Sequence, residues 1–190
     1  CHWPLRLTIW TGKNSKDRVI KATEVLGDSL NISMSVQSMN EEVLENIKRD
    51  NIKLEDYTRI NEHLTKQGRP QNVETILPLP GETKESYLQG LNDIIRGKGS
   101  NVYGHTLTLL HGTEYMLPEY RKKHGLVTKW RLIILDYGKY LGKPIFELEE
   151  CCIQTNTMSY EDYLYCRNVL LSLQLVYGGS IFKEFIKYLY

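Results

Sequence analysis

The residues best placed to do chemistry begin with a polar row inside a strand-like segment. From Leu30 to Val36 the chain alternates strictly, with Leu30, Ile32, Met34 and Val36 on one face and Asn31, Ser33, Ser35 and Gln37 on the other. A parallel strand covered on both faces is nearly continuously apolar, so a polar row must meet a ligand, water or solvent. A filled β/α barrel packs its interior with branched apolar side chains; a polar interior row suits a barrel open enough to admit a ligand. Its carboxyl end, at Ser35, Gln37 and Ser38, is where such barrels carry their sites. The solvated face of a half-exposed sheet accounts for the alternation equally well. Arg49 stands near the end of the next helical stretch, where a basic side chain complements the helix dipole without any ligand. The turn Leu79-Pro80-Gly81-Glu82-Thr83 would bring backbone close to the contents of a barrel mouth, and it also reads as a tight connection and helix cap.

Other chemistry-bearing residues form no constellation. The four cysteines, Cys1, Cys151, Cys152 and Cys166, include no CxxC pair and no zinc or disulfide spacing. The adjacent pair reads as small buried hydrophobes. The five histidines, His2, His63, His105, His111 and His124, show no metal-ligand spacing and default to structural roles. A net charge of +1 with interspersed signs gives no basic stripe, so no nucleic acid is expected. Apolar runs such as Leu132 to Leu135 fall far short of the roughly 18–20 residues that span a bilayer, so no membrane is expected either. Sparse cysteine fits the reducing cytoplasm. The chain opens on Cys1 and runs directly into an apolar segment, which reads as a piece of something longer.

These positions are carried on alternating strand-like and helical segments, the pattern of β/α units around a parallel sheet. Strands are expected at Leu5 to Trp10, Leu30 to Val36, Val73 to Leu79 and Val102 to Leu110. The first leads to a helix capped by Ser15, with Val19, Ala22 and Leu26 on one face and Gly27 as its stop. A helix over Glu41 to Arg49 follows the second strand, and another carries Tyr57, Ile60 and Leu64 and ends at Gly68. Thr83 caps a helix with Tyr87, Leu91 and Ile94 that ends among Gly97 and Gly99. Beyond His111-Gly112-Thr113 the alternation breaks down. Glu114 to Lys123 reads as a charged helix, Lys129 to Leu135 and Lys143 to Leu148 as strand-like pieces, and the chain from Ser159 onward as helical.

Two stretches, SVQSMNEEVLENIKRDNI at Ser35 to Ile52 and ETILPLPGETKESYLQGL at Glu74 to Leu91, resemble the radical S-adenosylmethionine (radical SAM) superfamily, in particular its branch with cobalamin-binding domains. Trp10 to Asn14, LLHGTEY at Leu109 to Tyr115, the helix Glu119 to Leu126 and the helix start at Thr157-Met158-Ser159 extend the resemblance along nearly the whole chain. It implies an α/β fold: a partial parallel β/α barrel with a helical C-terminal extension. Residues 1–112 would supply about strands three to six, and residues 113–190 a mostly helical extension. The implied cofactors are S-adenosylmethionine, a [4Fe–4S] cluster whose CxxxCxxC ligands lie outside this chain, and cobalamin on a separate domain. The implied chemistry is reductive cleavage of S-adenosylmethionine to a 5′-deoxyadenosyl radical that abstracts hydrogen from a small-molecule substrate. The upstream half of the polypeptide would be the obligate partner, and this chain alone would be inactive.

By the same resemblance Ser35 and Gln37 face the ribose or methionine part of the ligand, and Arg49 pairs with its carboxylate through a bidentate contact. Ile76 and Leu77 pack on adenine, and the backbone at Leu109 and Leu110 surrounds the same base. The family more often has glycine where Pro78 stands, and proline offers no N–H to the base. The competing expectation is a non-catalytic scaffold or interaction domain that keeps the barrel and has lost cluster and cofactor, since fold does not dictate function.

Overall fold

Four short strands hydrogen-bond side by side in chain order, all parallel: β1 (Leu7–Trp10), β2 (Leu30–Gln37), β3 (Asn72–Leu77) and β4 (Asn101–Thr106). The computed structural model describes residues 7–10, 16–49, 54–66, 72–97 and 101–176, with 178, 182 and 188. The expected Ser15 cap, the Gly68 and Gly99 stops and the chain end through Leu189 lie outside those residues, as do the side chains at 31–34. Helices α1 (Lys16–Leu26), α2 (Glu41–Asn46), α3 (Leu54–Lys66) and α4 (Lys84–Arg96) fill the crossovers, as parallel neighbours require.

Helices α3 and α4, with the C-terminal helix, cover one face of the sheet, whereas α2 packs with Ile76, Leu79 and Leu107 in a second cluster. Leu30, Val36, Val73, Leu77 and Val102 from the strands meet Tyr57, Ile60 and Leu64 of α3, Leu91 and Ile94 of α4, and Leu170 of α6 (Tyr160–Val176) in a single core. The period of two then leaves Ser35, Gln37, Glu74 and Ile76 on the opposite face, all half-buried. Helix ends follow local chemistry. Asn40 accepts from the Glu42 N–H at the start of α2, Thr83 and Ser86 form a reciprocal capping box on α4, and Ser159 accepts from the Asp162 N–H ahead of α6.

Strand ends differ from expectation. β3 stops at Leu77 rather than Leu79, because Pro78 has no N–H for the ladder. β4 stops at Thr106 rather than Leu110, because residues 107–109 change partner: Cys152 donates to the Leu107 carbonyl at 2.9 Å and Leu109 to the Glu150 carbonyl at 2.8 Å. Among the described residues the largest element of the tail is an antiparallel ribbon of β5 (Val127–Tyr140) and β6 (Lys143–Gln154), 14 and 12 residues long, where two separate strand-like pieces were expected. Leu141 and Gly142, both at positive φ (49° and 81°), make its two-residue turn, the backbone that matches strand twist. Leucine carries no turn signal there, so the expected pieces at Lys129 and Lys143 read as separate. The segment expected as one charged helix splits into a 3-10 turn at Glu114–Met116 and α5 (Pro118–His124), with Pro118 at the helix start where its missing N–H costs nothing.

Gly104 lets α6 lie directly on β4. A Cβ there would stand 2.2 Å from Leu170 Cδ1, and Leu170 is fully packed in the core. Gly104→Ala is expected to cost about 2–3 kcal/mol, toward the upper end for overpacking because the buried Leu170 has no free space to move into. Urea denaturation should show a lower midpoint with an unchanged slope.

Candidate functional site

A cleft of about 330 Å³ opens at the carboxyl ends of β2, β3 and β4, the end of a parallel sheet where ligands bind. Gln37 contributes from β2, Ile76 from β3, and Thr106 to Thr108 with Leu110 from the end of β4. Ile47, Arg49, Leu79, Thr113 and Tyr115 complete the lining.

Gln37 sits at the apex of a tight three-residue turn. The Ser38 N–H donates to the Val36 carbonyl at 2.8 Å, and Gln37 has φ of 63°, a rare and strained arrangement for a residue with a side chain. The pairing register with β3 shifts at the same point, as at a β-bulge. Gln37 Oε1 is buried and has no hydrogen-bond partner. A buried carbonyl oxygen left unpaired costs about 1–3 kcal/mol, so Gln37, a lining residue of the cleft, carries an acceptor short of a donor.

Arg49 reaches the cleft because of how α2 ends. Lys48 takes a left-handed conformation (φ 53°), its N–H donates to the Glu45 carbonyl at 3.1 Å, and the Arg49 N–H donates to the Leu44 carbonyl at 2.9 Å. This is a Schellman motif with lysine where glycine is usual. Val43 and Leu44 are buried, which pins the helix, so the residue after the motif projects at the rim. Arg49 is exposed, and among the described residues no carboxylate is paired with it.

The opposite wall is the loop from Leu110 to Tyr115. Thr113 Oγ1 donates to the Leu110 carbonyl at 2.6 Å, and Gly112 at φ of 81° permits the turn. Burial pushes the Tyr115 hydroxyl up to about 12, so this ring is a neutral wall near pH 7. Arg121 Nε donates to the Tyr115 carbonyl at 3.0 Å, while its two terminal nitrogens grip Glu150 at 2.7 and 2.6 Å. Thr128 adds a third bond to that carboxylate at 2.5 Å. Arg121, foremost by its hydrogen bonds, holds the Glu150 carboxyl below the usual carboxylate range. The brace ties α5, the wall of the cleft and the ribbon together.

Of the residues singled out from sequence, Gln37, Arg49, Ile76 and Leu110 line this one cleft. Ser35 is half-buried, one step back along β2, and outside the lining. Leu77 faces the helices, fully buried, with its carbonyl taken by the Leu107 N–H at 2.9 Å. Leu109 is buried behind the wall with its N–H on Glu150. Pro80 to Glu82 turn away: the Pro80 carbonyl accepts from Asn46 Nδ2 at 3.2 Å and Glu82 is fully buried. Ile47, Leu79, Thr113 and Tyr115 were not foreseen as lining. Tyr115 lies inside the LLHGTEY stretch, yet nothing in its spacing ties it to Arg49.

No protein-family model matches the chain. It is 26% identical over 192 residues to 2-(S-pantetheinyl)-carbapenam-3-carboxylate methyltransferase of Streptantibioticus cattleyicolor, across 98% of this chain and 28% of that protein. It is 26% identical over 182 residues to the cobalamin-dependent radical SAM methyltransferase TokK of Streptomyces tokunonensis, across 93% of this chain and 26% of that one. Both of these curated proteins are methyltransferases, and the second is named a cobalamin-dependent radical SAM enzyme. It spans about a quarter of the length of the curated relatives it matches. Solved structures that overlap it include the radical SAM enzyme coproporphyrinogen III oxidase (HemN) of Escherichia coli, with TM-score 0.46, 23% identity and coverage of 53% of this chain and 23% of that one. Radical SAM methyltransferase TsrM of Kitasatospora setae overlaps with TM-score 0.48 and 17% identity, across 69% and 26% of the two chains.

An iron–sulfur cluster needs closely grouped thiolates, and the described cysteines do not fit one. Cys152 packs in an apolar cluster with Val43, Leu79, Leu107 and Leu109, whereas Cys166 belongs to the helix-facing core. Burial raises the thiols of Cys151, Cys152 and Cys166, the last two to about 11, which disfavours metal-binding thiolate. S-adenosylmethionine does fit the cleft. Its volume lies within the usual range for small-molecule sites, one wall is apolar, a cation stands at the rim, and Gln37 Oε1 awaits a donor.

Proposed function

We propose that this chain is the S-adenosylmethionine-binding part of a cobalamin-dependent radical SAM methyltransferase. The single observation that carries the proposal is the unpartnered, buried Gln37 Oε1, held on strained backbone in a cleft that Arg49 also lines. Gln37 would accept from a hydroxyl or amino donor of the ligand, and Arg49 would meet its carboxylate. Ile76, Leu110 and Tyr115 would exclude water around the adenine ring. A reduced [4Fe–4S] cluster would supply the electron that cleaves the sulfonium, while this chain's residues would supply orientation and seclusion. The sheet would be part of an incomplete barrel, because α3, α4 and α6 pack on one face while Ser35, Gln37 and Glu74 stand on the other. The cluster ligands belong on an upstream segment of the same polypeptide and cobalamin on a further domain. The substrate is a small molecule and the setting cytoplasmic; no described helix is long and apolar enough to cross a membrane.

Calorimetric titration of S-adenosylmethionine into the complete protein, under anaerobic conditions, tests the reading. Saturable binding that S-adenosylhomocysteine competes away, and that Leu110→Asp weakens, is the expected result. Absence of binding in a folded, cluster-loaded protein would overturn it and leave the scaffold reading standing.

A further inference from the structure

Resting on the reading of Gln37 as a ligand contact, we propose that Glu82 is a positioning residue, whose buried carboxylate holds the strained turn that aims Gln37 into the cleft. Glu82 is far from Gln37 in sequence and does not line the cleft; it is fully buried beneath the start of α4. Ser38, itself buried, donates its hydroxyl to Glu82 Oε2 at 2.5 Å. The Ser38 oxygen also accepts from the Asn40 N–H at 3.1 Å, so its hydrogen is directed toward the carboxylate. Ser86 mirrors this: its hydroxyl donates to Glu82 Oε1 while its oxygen accepts from the Thr83 N–H at 3.0 Å. Thr157 Oγ1 donates to the Glu82 carbonyl at 2.7 Å and anchors the turn from a third side.

Ser38 is the residue whose N–H closes the tight turn around Gln37. A positive φ at glutamine relaxes unless its neighbours over-determine it, and the neighbour that is pinned at both backbone and side chain is Ser38. The carboxylate therefore couples the loop after β2 to the turn after β3, which follow the lining residues Gln37 and Leu79 respectively. Both hydroxyls are supplied with backbone donors, an arrangement that suits an acceptor-only group between them. Glutamine, with one acceptor oxygen and one donor nitrogen, cannot serve both serines in the same geometry.

The test uses the complete protein with isotope-labelled glutamine, in which the Gln37 side-chain amide signals are those lost in Gln37→Ala. In ligand-free protein, Ser38→Ala and Glu82→Gln should move these signals, whereas Ser86→Ala, which weakens the helix cap and removes one bond to Glu82 but keeps the Ser38–Glu82 bond, should move them much less. S-adenosylmethionine affinity should fall about tenfold in the first two variants and less than about twofold in the third. Ser38→Ala carries the test if Glu82→Gln does not fold. Gln37 signals unmoved in Ser38→Ala, or moved equally in Ser86→Ala, would reduce Glu82 to a core clamp and overturn the proposal. Signals that respond as expected in a protein that binds no S-adenosylmethionine would sink the ligand reading and leave the positioning role intact.

Discussion

Arg49→Ala should weaken S-adenosylmethionine binding by about 1.5–3 kcal/mol, the range for a hydrogen bond to a charged group, which is roughly 10- to 150-fold in affinity. The guanidinium stands at the rim of the cleft with no carboxylate paired to it among the described residues, so its loss is not offset by release from an internal partner. Its placement comes from backbone bonds of the Schellman motif, not from its side chain. The substitution should thus leave thermal stability nearly unchanged. Arg49→Lys should recover only part of the affinity, because an ammonium cannot reproduce the planar two-pronged contact. Calorimetry on the two variants separates the possibilities. Equal affinity in Arg49→Ala and the parent protein would return this residue to a solvated helix-end charge.

Glu150→Ala should destabilise the protein by about 3 kcal/mol at neutral pH. Removing one member of a buried pair costs about 3–5 kcal/mol, and the Arg121 side chain keeps 27% exposure, which places the expected loss at the lower end. Three bonds would go at once: two from Arg121 and one from Thr128. The sign of the pH dependence follows from the lowered Glu150 carboxyl. Its contribution is complete above the ordinary carboxylate range and is lost as pH falls through the depressed folded value. Urea denaturation from about pH 7 down to about pH 3 should show parent and Glu150→Ala converging at the acid end. A constant gap across that range would show that the brace contributes through packing alone. Since Arg121 also holds the Tyr115 carbonyl, the variant should loosen the cleft wall and lower ligand affinity as well.

How much of this was legible beforehand follows the range of each interaction. The alternation of Leu30 to Val36 announced β2 and its two faces, and Leu30 and Val36 do lie in the helix-facing core. Thr83 announced its cap, and the apolar periods of Tyr57 to Leu64 and Tyr87 to Ile94 announced which helix faces would be buried. The cleft was only half visible. Gln37, Arg49, Ile76 and Leu110 line it together, but the same reasoning brought in Leu77, whose side chain the strand's period sends to the core, and the Leu109 backbone, whose N–H the Glu150 carbonyl takes.

By itself the sequence determined what depends on neighbours a few residues away: four β/α-type strands, the helix ends at Gly27, Thr83 and Gly97, the apolar stripes, and the resemblance that its motifs carry. These rest on backbone hydrogen bonding and side-chain periodicity, which a short window contains in full. Tertiary structure alone decided the rest. Lysine at 48 and leucine at 141 adopt backbone that their types disfavour, and Gln37 bends out of its strand where Ser38 is pinned by Glu82 across 44 residues. The brace of Arg121 and Glu150 spans 29 residues between a helix and a ribbon. No local pattern encodes these features, because the strained backbone is a local cost of about 1–3 kcal/mol per residue and the brace joins partners that meet only when distant parts of the chain are packed together.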